Sequence, residues 1–119
     1  MFKNNPIMWL SRHSLTNDQH EALRQCFGAD VEVIHDSEPF TAQELVERVK
    51  AFYKDNFEGT PFVVAPVPML FELMNNGLTF GYFEMESKRA FEGERPIPIV
   101  KAIWMVSQDF RVKEWETEG

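Results

Sequence analysis

The chain has one cysteine, Cys26, in 119 residues. No internal disulfide can form, and a reducing, cytoplasmic setting is expected. Glycine is also sparse, at six residues. None stands in a G-x-G-x-x-G run, a Walker loop or a nucleophile elbow, so dinucleotide, ATP and serine-hydrolase readings lose their usual signatures. Uncharged apolar runs fall far short of the ~20 residues that span a bilayer. The opening MFKNNPIMWLSRH has neither a sustained apolar stretch nor a small-residue cleavage site, so no secretion signal and no membrane association are expected. The three histidines, at 13, 20 and 35, include no i, i+4 pair, and no second cysteine exists, so no metal site and no cofactor are expected. Cations are the minority: 12 Lys and Arg face 19 Asp and Glu, for a net charge of −7. That balance argues against long DNA or RNA as a partner. It leaves room for a small anion in a local basic pocket, because clefts focus field.

What is present is apolar mass, 44% hydrophobic and 13% aromatic, with eleven phenylalanines. This is enough for one core in one domain over residues 1–119. The pattern alternates strand and helix. A first strand is predicted over Ile7–Leu10. A helix follows from Thr16, where Thr16 and Gln19 have capping-box spacing and Gly28 is a natural stop. A second strand is expected over 31–34. Thr41 and Glu44 form a second capping box, opening a helix that carries Leu45, Val49, Phe52 and Tyr53 inward and ends near Asn56, with Glu44, Glu47, Arg48 and Lys50 on its wet side. The run 62–65 reads as a buried parallel strand. A third helix begins near Pro68 with Met69, Leu70, Leu73 and Met74, stopped by Asn75, Asn76 and Gly77. Strands are expected at 78–85 and Ile97–Val106, with a charged loop at 87–96 and a short strand at 110–115. The fifth strand has no crossover helix before it and is expected to run antiparallel or to serve a dimer contact. The expected fold is a compact single-domain Rossmann-like three-layer α/β fold with a mostly parallel sheet. Strand order 2-1-3 would set the carboxyl ends of strands one and three side by side at a switch point, where such folds bind ligands.

That junction holds Ser11, Arg12, His13 and Ser14. Arg12 offers a fork of donors matched to phosphate. An imidazole can hold a phosphate or serve as general acid or base. Ser11 and Ser14 can bond phosphate or ribose oxygens. The same residues would also suit a surface ion pair and a strand-end cap. Across the switch point stand Pro66, Val67, Pro68 and Met69. Two prolines remove two amide donors, so this segment is no phosphate cradle. It suits an apolar shelf for a nucleobase, or simply a stiff turn. His20 reads as a solvated helix residue, the pair His35–Asp36 as a cap, and Cys26 as core. Lys88, Arg89 and Phe91 read as solvated loop, with a lid or a partner contact as the functional alternative.

The segments SRHSLTNDQ and VVAPVP, on a chain of this size and element order, resemble the compact CRISPR-associated ring nucleases, small relatives of the CRISPR-associated Rossmann domains. The resemblance covers most of the chain in element order and these two segments in residue detail. It implies a homodimer that binds a cyclic oligoadenylate across its two-fold axis. It also implies metal-independent cleavage by attack of the ligand's own 2′-hydroxyl, which silences type III CRISPR antiviral signalling. On that basis Arg12 would stabilise the transition-state phosphate and His13 would assist proton transfer or hold a phosphate. Ser11 and Ser14 would orient the ribose, and Pro66, Val67, Pro68 and Met69 would contact adenine. The net charge of −7 departs from what a polyphosphate ligand asks of a chain. The alternatives are a non-catalytic nucleotide sensor or sponge, and a phage- or defence-associated interaction module using Phe91 and the edge of the fifth strand.

Overall fold

The first two helices start where the sequence offers a polar cap. In a computed structural model, which describes residues 6–88, 93 and 95–117, the first strand β1 (Ile7–Leu10) leads to helix α1 (Asn17–Phe27). The Thr16 hydroxyl accepts from the Gln19 amide at 3.1 Å, and the Gln19 side chain accepts from the Thr16 amide at 2.9 Å. The same reciprocal box, Thr41 with Glu44, opens α2 (Ala42–Asp55) after strand β2 (Val33–Asp36). Each box satisfies two amides that the helix itself leaves bare. Strand β3 (Thr60–Val63) then leads into α3 (Val67–Asn75), which has prolines in place of a polar cap. Three strands finish the chain: β4 (Phe80–Lys88), β5 (Ile97–Val106) and β6 (Arg111–Glu116).

All six strands form one sheet in the order β2-β1-β3-β4-β5-β6. The expected 2-1-3 order is present, and β1 to β4 are mutually parallel. The sheet is nevertheless mixed rather than mostly parallel, because β5 runs antiparallel to both β4 and β6. The reason is connectivity. Among the described residues no helix separates β4, β5 and β6, and a link without a crossover returns the chain as an antiparallel neighbour. The fifth strand is therefore interior, flanked by β4 and β6, and the partner-docking edge expected of it does not exist.

Two cores lie on opposite faces. Met8, Leu10, Val63, Phe80 and Val106 meet Leu45, Val49 and Phe52 of α2 and Leu73 of α3. Ile7, Trp9, Phe62, Val100 and Ile103 meet Ala22 and Leu23 of α1. The layers are thus α1, sheet, and α2 with α3. The crossover from β1 to β2 through α1 and that from β2 to β3 through α2 run in opposite directions along the sheet and lie on opposite faces, as a single crossover hand requires.

Strand bounds depart from the apolar pattern at several places: β4 runs Phe80–Lys88 rather than over 78–85, into the expected loop, and β6 begins at Arg111 rather than at residue 110. β2 begins at Val33 rather than at residue 31. β3 begins at Thr60 and includes the buried Pro61. The Thr60 and Val64 amides donate to the Pro6 and Leu10 carbonyls at 3.0 and 3.2 Å, so the even-numbered amides face β1. Pro61 therefore turns its missing N–H toward β4, whose pairing with β3 begins only at Phe62 and Gly81. A bulge between β4 and β5 skips Lys101, and the Val100 amide donates to the Asp18 carboxylate of α1 at 2.7 Å. The half-buried Tyr53 hydroxyl donates to the Thr79 carbonyl, and burial pushes its pKa up to about 12.

Candidate functional site

A hollow of about 390 Å³ opens at the carboxyl ends of β1 and β3. Ser11, Arg12 and His13 line it from β1, and Pro66 and Met69 line it from the start of α3. Glu38, Pro39 and Phe40 of the β2–α2 loop close the third side. The structure thus brings together five of the eight residues singled out from sequence. Ser14 is exposed and stands outside the wall, and so does Pro68. Val67 faces a second, larger hollow on the other side of Val64.

The turn after β1 is held by its backbone. The Ser11 amide donates to the Asp36 carbonyl at 3.3 Å, and His35 Nε2 donates to the Ser11 carbonyl at 2.8 Å. The buried Trp9 indole donates to the His13 carbonyl at 2.7 Å, and the His13 amide donates to Ser11 Oγ at 3.2 Å. These bonds fix residues 11–13 to β2 and to the indole of β1. The side chains of Arg12 and His13 are exposed and have no hydrogen-bond or ion-pair partner among the described residues. The backbone of the turn is thus fixed, while the side chains of Arg12 and His13 stay open to a ligand.

The opposite wall depends on Arg48, which periodicity alone puts on the wet side of α2. Its guanidinium donates to the Glu38 and Pro39 carbonyls, each at 2.8 Å. It also pairs with Asp36 at 3.5 Å and lies 5.7 Å from the Phe40 ring centroid. Arg48 therefore shapes the loop that faces Arg12. His35 and Asp36, expected to cap a strand end, act structurally here, on Ser11 and Arg48 respectively.

The charge of the hollow is balanced rather than basic. Arg12 contributes one cation, and Glu38 contributes one carboxylate that has no partner among the described residues. Only α3 presents its first turn from the β3 side, and with Pro68 in that turn few amides remain to meet an anion.

Burial, reinforced by Glu114, pushes the Cys26 thiol up to about 11, in keeping with its place against the α1 core. The hydrogen bond from the Trp104 indole, at 2.8 Å, lowers the Glu84 pKa, with Lys101 adding to the effect. His20 is half-buried rather than solvated. Lys88 ends β4 in an exposed position, while Arg89 and Phe91, considered as lid and contact residues, lie outside the described residues.

Among the described residues, no group of three or more His, Cys, Asp or Glu is placed to hold a metal ion, and no helix is long and apolar enough to cross a membrane. Compared with family models, curated proteins and solved structures, the chain gives no match.

Proposed function

We propose that this protein binds a cyclic oligoadenylate in the hollow beside Arg12 and cleaves it, acting as a ring nuclease of type III CRISPR signalling. The observation that carries the reading is the fixed 11–13 turn with its unengaged Arg12 and His13 at the β1/β3 switch point. In the proposed reaction the ligand's 2′-hydroxyl attacks the adjacent phosphorus and the bond to the 5′-oxygen breaks. The product carries a 2′,3′-cyclic phosphate at one end and a 5′-hydroxyl at the other. The proton leaves the 2′-oxygen and one is delivered to the 5′-oxygen, with His13 serving either transfer. Arg12 stabilises charge on the non-bridging oxygens. Met69 and Pro66 offer the apolar surface for an adenine. The four parallel strands are read as a Rossmann-like core. The working unit is a homodimer in the cytoplasm, in which two copies of Arg12 flank one symmetric ligand.

The test is incubation of the protein with cyclic tetra-adenylate in excess chelator, with products separated by chromatography. Linear products are expected, and Arg12→Ala and His13→Ala should each slow the reaction at least tenfold. An intact ring after long incubation at high enzyme refutes the proposal.

One observation favours a second reading, a non-catalytic sensor or sponge. The His13 ring has no partner among the described residues that would orient it, whereas a working general base normally has one. This reading predicts a rise in melting temperature with the ligand and no turnover.

A further inference from the structure

The larger hollow, about 630 Å³, lies where β3 ends at Val63 while β4 runs on to Lys88. Beyond the Phe62–Gly81 pair, the β3-facing edge of β4 meets no strand among the described residues. Leu70, Phe71 and Met74 of α3 form one wall, and Phe80 and Tyr82 of β4 form another. Phe71 is 54% exposed, and Val64, Val67 and Met85 on the same lining are exposed as well, a cluster of the kind that marks an interaction site. Arg111 of β6 is the one charged residue on the described lining. Its guanidinium stacks 3.9 Å from the Trp104 ring centroid and 5.6 Å from that of Tyr82. Although the chain carries 19 acidic residues, none of those described pairs with Arg111. Stacking engages the face of a guanidinium and leaves its N–H edge for an acceptor.

An apolar cavity of this size with one convergent cation has the make-up of a small-molecule site. We propose that it binds a free medium-chain fatty carboxylate, with the alkyl chain between α3 and β4 and the carboxylate on Arg111. Charge complementarity selects this occupant. The lining offers one cation to one carboxylate and is otherwise uncharged, whereas a second folded copy of the chain would have to project a slender apolar group to fill the concavity. The site is separate from the hollow at Arg12 and stands or falls without it.

The experiment is calorimetric titration of the whole protein with decanoate and, in parallel, with decanol. Nuclear magnetic resonance would follow the Trp104 indole. Saturable one-to-one decanoate binding is expected, with a shift of the Trp104 signal. Arg111→Gln should weaken decanoate about tenfold and leave decanol unchanged, as loss of one charge-assisted bond implies. Phe71→Glu should abolish binding of both. Both positions are exposed, so the variants should keep the wild-type circular dichroism spectrum. Unsaturable partition, equal affinity for the two probes, or decanoate binding indifferent to Arg111→Gln would overturn the proposal.

Discussion

Removing the Arg48 guanidinium should loosen the wall that faces Arg12 and cost the fold a measurable share of its stability. Two hydrogen bonds of 2.8 Å tie it to the Glu38 and Pro39 carbonyls. Bonds to a charged group contribute about 1.5–3 kcal/mol each. The Arg48 side chain is 24% exposed, so the lower end applies. The Asp36 pair at 3.5 Å, also partly exposed, adds roughly 0.5 kcal/mol. Arg48→Met keeps most of the stem and loses all of these, for a destabilisation of about 3.5 kcal/mol. In a domain of this size that corresponds to a melting temperature roughly 14 °C lower. Arg48→Lys keeps the charge but lacks the fork, cannot hold two carbonyls in the same geometry, and should lose about half as much. Urea denaturation with both variants, fitted for midpoint and slope, measures the difference. An Arg48→Met protein within ~0.5 kcal/mol of wild type would refute the reasoning. So would a lysine variant as weak as the methionine one, because the fork would then have no part in the effect.

Gly81→Ala should destabilise by about 2 kcal/mol in the same assay, the range for overpacking a closed core. A Cβ there would sit 2.8 Å from the Phe62 ring, which Phe27 and Phe83 already hold; an unchanged midpoint would show that the ring can give way. Cys26, with its thiol raised to about 11 from 9.0, should resist iodoacetamide at pH 8 and react quickly once the chain is unfolded. Because the folded thiol stays protonated where the unfolded one ionises, this group should make stability fall as pH rises from about 9 to about 11, and Cys26→Ser should flatten that slope. Glu38→Gln removes an unpartnered carboxylate from the Arg12 hollow and should tighten anion binding about twofold, read by titration with the nucleotide; weaker binding would mean that Glu38 holds the ligand instead.

Much of the layout is readable from residues alone, because the signals are local. Thr16 with Gln19 and Thr41 with Glu44 mark helix starts through bonds made within four residues. Ile97–Val106 is bounded in the sequence by a charged run before it and by polar Ser107 and Gln108 after it, and the strand has those limits. The features that escape are set by partners distant in sequence. Pro61 enters a strand because of which neighbour its nitrogen faces, and composition does not show that. Arg48 sits at a wet helical position, but its length carries the guanidinium back to a loop ten residues earlier. Of the candidate site, the turn at residues 11–13 was legible as a strand end. Its anchoring by Trp9 and His35 was not, because one reads as core and the other as a cap. The larger hollow was invisible, because Leu70 and Met74 have the spacing of a buried helix face, and only the early end of β3 leaves them facing a cavity.

The central claim is that the exposed guanidinium of Arg12, on its anchored turn, receives a phosphate, and calorimetric titration of cyclic tetra-adenylate into wild type and Arg12→Ala measures this most directly. The account predicts a saturable heat with one ring bound per two chains, and at least tenfold weaker binding once Arg12 is removed. Equal affinity in the two proteins, or no heat in either, would contradict it.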